Sequence, residues 1–322
     1  MCGIVGVLGA HEASPLLVEA LKRLEYRGYD SAGIATVGAT GHLERRRALG
    51  KLVNLSDRLV HEPLPGKAGI GHTRWATHGA ATETNAHPHE AGSVAVVHNG
   101  IIENFRALRA ELSADGAVFA SETDTEVVAQ LAARHLARGD SPREAVQATL
   151  ARLDGAFALA FLFAGEPDLM IVARRGSPLA IGHGEGEVFI GSDAIALAPL
   201  TDRITYLEDG DWAVLTRASI DIRDADGRQV SREMRRMAID ARQIEKGGHR
   251  HYMSKEIEEQ PTVLADLLAH YVGPDGESCL PDADIDFAEI SRVALIGCGT
   301  ASLAGHVARY WFEQIAGLPA EH

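Results

Sequence analysis

The chain predicts an α+β fold in which two packed β-sheets carry helices on their outer faces. Short apolar runs bounded by Gly, Pro or Asp recur in two groups, one within the first hundred residues and one from Ala156 onward. Between them lie stretches whose apolar residues recur at helical spacing. An element that is apolar on one face must bury it against another layer. With 46% hydrophobic and 24% charged residues in a chain of 322, a sizeable core is available and global disorder is excluded.

The first strand is the apolar run after Cys2. Ser14-Pro15 reads as an N-cap followed by proline, opening a helix whose face is Leu16, Leu17, Ala20, Leu21 and Leu24, with Gly28 as its stop. Strands follow over residues 34–37, 68–73 and 93–98. Helices are predicted from Glu103 to Leu112 and, capped by Thr123 or Asp124, through Ala137. Ser141-Pro142 repeats the cap-plus-proline signal for a helix ending near Leu153. Six short runs between Ala156 and Leu215 then predict largely antiparallel strands. Dense charge and Gly247-Gly248 mark residues 238–251 as linker, and Lys255 to Tyr271 reads as a helix with a kink or restart at Pro261. Val293 to Ile296 is a buried-type strand entering a small-residue turn, and Ala301 to Ile315 continues as a helix. Such a strand needs parallel neighbours, and the sequence shows none after it.

The net charge of -14 argues against nucleic-acid or anionic-membrane partners, and Arg45-Arg46-Arg47 is too short a basic cluster to change that. No stretch approaches the roughly 20 apolar residues that span a bilayer. Cys2, Cys279 and Cys298 are odd in number and widely spaced, which suits a reducing cytoplasm better than a disulfide framework. His78, His87 and His89 lack carboxylate support, so neither a metal nor a cofactor is expected.

Four constellations carry candidate chemistry. Cys2 follows the initiator methionine and is small enough for that residue to be clipped, leaving a thiol and a free amine together. An α-amine titrates near ~7.7–8.0 and a thiol near ~8.5, so the amine is a plausible base for its own sulfhydryl. The plainer reading is a small buried hydrophobe at a strand start. Residues 71–79 end a strand with Arg74, a planar fork for a carboxylate, and Trp75, a cover for a ligand; a solvated turn is the alternative. In residues 97–104, Asn99-Gly100 is either a hairpin turn or a two-donor oxyanion hole. Residues 121–126 cap a helix, or supply Asp124 to a substrate ammonium.

Taken in order, Cys2-Gly3-Ile4-Val5-Gly6, the segment from Tyr26 to Ser31, His72 to Gly79, His98 to Asn104 and Glu122 to Glu126 resemble the class II glutamine amidotransferases. The segment from Tyr26 to Ser31 and the stretch from Glu245 to Met253 further resemble the branch that aminates fructose 6-phosphate. The resemblance implies a four-layer αββα N-terminal nucleophile hydrolase domain over residues 1–238. A linker over 239–262 and the start of an α/β sugar isomerase (SIS) domain over 263–322 would follow. Cys2 would attack the glutamine side-chain amide, with Asn99 and the Gly100 N–H as oxyanion hole. Arg74, Thr77 and His78 would hold the α-carboxylate and Asp124 the α-ammonium, with Trp75 closing the pocket and Arg27 at its mouth. Cys298, Gly299 and Thr300 would open a sugar-phosphate site. Ala301 stands where the family often has Ser, and the isomerase half is expected to be cut short. The implied partners are L-glutamine and, in the complete homodimeric enzyme, fructose 6-phosphate. Two other functions stay open: a glutamine-binding module without turnover, and an amidotransferase with a phosphoribosyl acceptor.

Overall fold

The computed structural model describes residues 2–237, 248–273, 275–278 and 286–322. Cys279 and the expected linker residues 238–247 lie outside them. The chain forms two compact units, residues 1–247 and 248–322. The expected linker, 239–262, straddles that division.

In the first unit the order is β1 (Gly3–Leu8), α1 (Ala13–Lys22), β2 (Ser31–Val37), β3 (Leu43–Leu49), α2 (Leu52–His61), β4 (Ala68–Arg74), β5 (His89–Ala91) and β6 (Val94–Ile102). There follow α3 (Phe105–Ala114), α4 (Thr125–Ala137), α5 (Pro142–Leu150), β7 (Gly155–Phe163), β8 (Met170–Arg175), β9 (Ala180–His183) and β10 (Val188–Gly191). The unit ends with β11 (Arg203–Tyr206), β12 (Trp212–Leu215), β13 (Ile220–Arg223) and β14 (Met234–Arg236). Eight strands form one sheet in the order β14-β11-β9-β10-β1-β4-β2-β3, and six form a second in the order β13-β12-β8-β7-β6-β5. The pairings that set the site, β1 with β4 and β6 with β7, are antiparallel.

Side-chain alternation along the strands builds three buried layers. Ala158, Ala160 and Leu162 of β7 meet Ile4, Leu8, Ala68 and Ile70 between the sheets. Phe157, Leu159, Phe161 and Phe163 point the other way, under α3, α4 and α5. Val5 and Val7 of β1 face α1 and α2 with Leu17, Leu21 and Leu55. The result is the expected helix–sheet–sheet–helix stack.

Details depart from the sequence reading for local reasons. Helix α1 begins at Ala13 with Glu12 before it, so Ser14 lies inside the first turn and does not cap. Asp124 stands at the head of α4 without capping it, because its carboxylate is committed elsewhere. Ser141 does cap α5, in a reciprocal capping box with Glu144. Asn99-Gly100 is no hairpin turn: β6 runs straight through it. The Arg45-Arg46-Arg47 cluster sits on the edge strand β3, where charge discourages edge-to-edge pairing. Burial lowers the Arg47 pKa to about 10.

In the second unit Tyr252–Tyr271 is one helix with Pro261 inside it. The expected boundary at 262/263 therefore falls within a helix. Val293–Ala294 does find a parallel partner, Ala320–Glu321, which the sequence reading had not supplied. Thr300–Trp311 forms the helix that follows, entered through Gly299.

Candidate active site

Strand period and register bring the candidate residues together. On β4, residues 68, 70, 72 and 74 share the face that looks at the second sheet, so the apolar series Ala68, Ile70 ends in His72 and Arg74. On β6 the same logic carries Ala95 and Val97 on to Asn99. Ile4 pairs with His72 and Gly3 with Thr73, so one step further sets Cys2 beside Arg74. The gap between the sheets thus changes from hydrocarbon to polar at one end, and a cavity of about 400 Å³ opens there. Its wall includes Cys2, Arg27, Arg74, Trp75, Thr77, His78, Asn99, Gly100 and Asp124. Cys298, Gly299 and Thr300 belong to the second unit and are exposed there.

The Cys2 sulfur accepts a hydrogen bond from the Trp75 N–H at 3.2 Å. Burial pushes the thiol above its ordinary value, with that N–H pulling the other way. A base is therefore needed to make the thiolate. Asn99 donates Nδ2–H to the Cys2 carbonyl oxygen at 3.0 Å, which leaves its second N–H for the cavity. Gly100 has φ +123, and a Cβ there would lie 2.0 Å from the Ala156 carbonyl oxygen, so only glycine fits.

Arg74 is buried, and its guanidinium donates to the carbonyls of His78, Gly79 and Ala80, the last two at 3.2 and 3.1 Å. It thereby folds the 78–80 loop around itself. Asp124 accepts the Ile102 N–H at 2.8 Å and faces the His98 ring at 3.9 Å. Trp75 is half exposed, edge-on to Tyr29 with centroids 5.5 Å apart. Gly28 lets the chain pass against the Arg74–Trp75 backbone, where a Cβ would come within 2.6 Å. Asp30 then binds the Ala76 N–H. The segment from Tyr26 to Ser31 is in this way a clamp for the 74–76 turn. Arg27 forms an ion pair with Asp193 at the cavity wall.

A histidine layer, of which His87 and His98 reach the cavity wall, was missed in the sequence. His72, His87, His89 and His98 are all buried. His72 reaches both the His98 carbonyl and Asn99 Oδ1 at 3.0 Å from Nε2. His87 and His98 share the Thr125 hydroxyl at 2.8 and 2.9 Å, and His89 meets the Thr123 hydroxyl at 3.0 Å. The His72 and His87 rings stack at 4.1 Å. Desolvation lowers all four, His72 to about 3, and holds them neutral. The available signal was a polar residue continuing an apolar alternation, as in Ala68-x-Ile70-x-His72 and Val94-x-Val96-x-His98. Among the described residues no cluster of His, Cys, Asp and Glu has the arrangement to hold a metal ion.

Comparison with known proteins meets this geometry. A glutamine amidotransferase domain model matches residues 72–199, the stretch that carries Arg74, Asn99 and Asp124. The chain is 59% identical over its whole length to a glutamine–fructose-6-phosphate aminotransferase (isomerizing) of Mesorhizobium japonicum, and 61% identical to one of Bradyrhizobium diazoefficiens. Residues 72–199 of the chain thus carry a glutamine amidotransferase domain. The chain spans 53% of the length of each of those relatives. A solved structure described as the allosteric regulatory enzyme of purine biosynthesis is 28% identical, with a TM-score of 0.60, over 69% of this chain and 49% of that one. The chain is thus matched in sequence by the first two relatives and in fold by the solved structure. No helix among the described residues is long and apolar enough to cross a membrane.

Proposed function

We propose that the cavity hydrolyses L-glutamine and that the first unit is a glutaminase domain of about residues 1–238. The observation that carries this reading is the convergence of a nucleophile, two candidate oxyanion donors, a guanidinium and a carboxylate on one cavity. Once Met1 is removed, the Cys2 amine takes the thiol proton, and the sulfur attacks the side-chain amide carbon. Charge collects on the amide oxygen, against the free Asn99 N–H and the Gly100 N–H. The C–N bond breaks, the amine's proton leaves with the nitrogen as ammonia, and a thioester remains. Water then adds to the thioester, and glutamate departs as the thiol is restored. Arg74 and Asp124 fix the amino-acid end, and the 74–80 turn, with Trp75, covers the site.

In the complete enzyme the ammonia passes to fructose 6-phosphate, as the names of the relatives suggest. Residues 239–262 then act as linker and 263–322 as the start of a sugar isomerase domain, with Cys298, Gly299 and Thr300 facing the sugar phosphate. The complete enzyme works as a homodimer in the cytoplasm.

The test is release of ammonia and glutamate in equal amounts from glutamine by protein whose mass shows loss of Met1. Cys2→Ala should abolish both products. Full turnover by Cys2→Ala would end this reading, and tight binding of glutamine without any product would point to a binding module. Consumption of a phosphoribosyl acceptor in place of fructose 6-phosphate by the complete enzyme would reassign the acceptor.

A further inference from the structure

We infer that His72 is the positioning residue that sets which end of the Asn99 amide faces the nucleophile; the inference rests on the glutaminase reading of the cavity. An asparagine amide is nearly symmetric in shape, and a half-turn exchanges its oxygen and its NH2 group. Only one orientation offers an N–H to the developing oxyanion. The other turns a carbonyl oxygen toward that negative charge and reverses the effect of the residue.

His72 breaks the symmetry through its own hydrogen-bond count. Its Nε2 sits 3.0 Å from the His98 carbonyl, which can only accept. Nε2 must therefore carry the proton, and it donates to Asn99 Oδ1 as well, also at 3.0 Å. His72 Nδ1 is buried with no partner, which an unprotonated nitrogen tolerates and an N–H does not. A reversed amide would bring its NH2 to Nε2, move the ring proton to Nδ1 and orphan it there. It would also set Asn99 Oδ1 against the Cys2 carbonyl oxygen, which now receives Nδ2–H at 3.0 Å. Both costs fall on the unproductive orientation.

The device depends on rigidity and on a ring proton held at Nε2. His72 is fully buried on β4, in register with Ile4 of β1, while Asn99 belongs to the other sheet. The hydrogen bond therefore crosses between sheets, from one fixed platform to the other. His87 stacks on the face of the His72 ring and restrains its turning. His72 has no carboxylate partner among its hydrogen bonds, and its complete burial outweighs the pull of its two acceptors, so the ring keeps one proton, on Nε2.

The test compares His72→Leu, His72→Gln, Asn99→Ala and the double variant His72→Leu/Asn99→Ala in Met1-free protein. His72→Leu removes the donor and should lower kcat by about 100-fold, the loss typical of one oxyanion donor, with KM for glutamine within about twofold. His72→Gln returns an N–H to the place of Nε2 and should recover most of kcat. In the Asn99→Ala background, His72→Leu should cost no more than about twofold, because the amide it orients is gone. Wild-type kcat in His72→Leu, or its full loss persisting without Asn99, would overturn the inference. If His72→Leu does not fold, His72→Gln decides: a folded variant with the 100-fold loss overturns it. Nitrogen-15 spectra of the His72 ring supply a readout independent of turnover. They should show Nε2 protonated at neutral pH, and an Nδ1–H ring would refute the inference even in an inactive protein. Absence of ammonia from wild-type protein with an Nε2–H ring would instead count against the glutaminase reading alone.

Discussion

The two ends of the layer between the sheets use the same strands for opposite purposes. At one end Ala68 and Ile70 of β4 meet Ala95 and Val97 of β6 in hydrocarbon. At the other the same faces present His72, Arg74 and Asn99, and every buried polar group there needs a partner. The apolar end fixes the distance between the sheets. The polar end uses that distance, since the His72–Asn99 and Asn99–Cys2 bonds both cross it. Alternation along a strand is thus enough to turn a core into a site within two residues.

Substitutions can break this comparison from either end. Gly100→Ala should have the largest effect. Its Cβ meets a backbone carbonyl at 2.0 Å in a conformation unsuited to side chains, so a loss of about 3 kcal/mol or more in denaturant melts is expected. A well-folded, active Gly100→Ala protein would mean the strand bends more freely than its register implies. Ile70→Ala, at the apolar end, should cost about 2–5 kcal/mol of stability by cavity formation while leaving KM for glutamine nearly unchanged. A large KM change would show that the two ends are not separable.

Acid sharpens the contrast further. The four buried histidines have depressed folded-state values, whereas the unfolded chain protonates each near 6.5. The unfolded state therefore binds more protons below that pH. Their contribution to stability is complete above about 6.5 and is lost as pH falls toward the folded values, about 3 for His72. Each contributes a slope of up to about 1.4 kcal/mol per pH unit, so stability should fall by several kcal/mol between pH 7 and 5. A flat profile over that range would mean these rings reach solvent. Smallest is Trp75→Ala: the ring is half exposed, and melting should shift by no more than about 0.5 kcal/mol even where turnover suffers.

The layered fold was legible because its signals are local. Short apolar runs mark β1, β4, β6 and β7, and the Ser141-Pro142 signal marks α5, where Ser141 caps as expected. Edge strand β3 and helix α2 were missed because three arginines and scattered polar residues hide their pattern. In the site, nine nominated residues share one cavity, whose wall also takes in Ser177, Pro178 and Ser192, on segments that no motif marked. What they do besides facing it was hidden. Arg74 holds its own loop through three carbonyls, and Asp124 secures the Ile102 N–H instead of capping α4. Such roles depend on which backbone groups come near, and the sequence does not display that. The histidine layer went unread because its rings come from three separate segments and meet only in the fold, through ring contacts, the His98 carbonyl and threonine hydroxyls.

The central claim is that Cys2 faces a cavity shaped for an amino acid, and chemical labelling tests it most directly. Two free thiols are described, Cys2 half-buried and Cys298 exposed. A glutamine analogue bearing an electrophile in place of the side-chain amide should modify Met1-free protein at Cys2 alone, and excess glutamine should protect it. Preferential labelling of Cys298, or labelling of Cys2 that glutamine does not slow, would contradict the account.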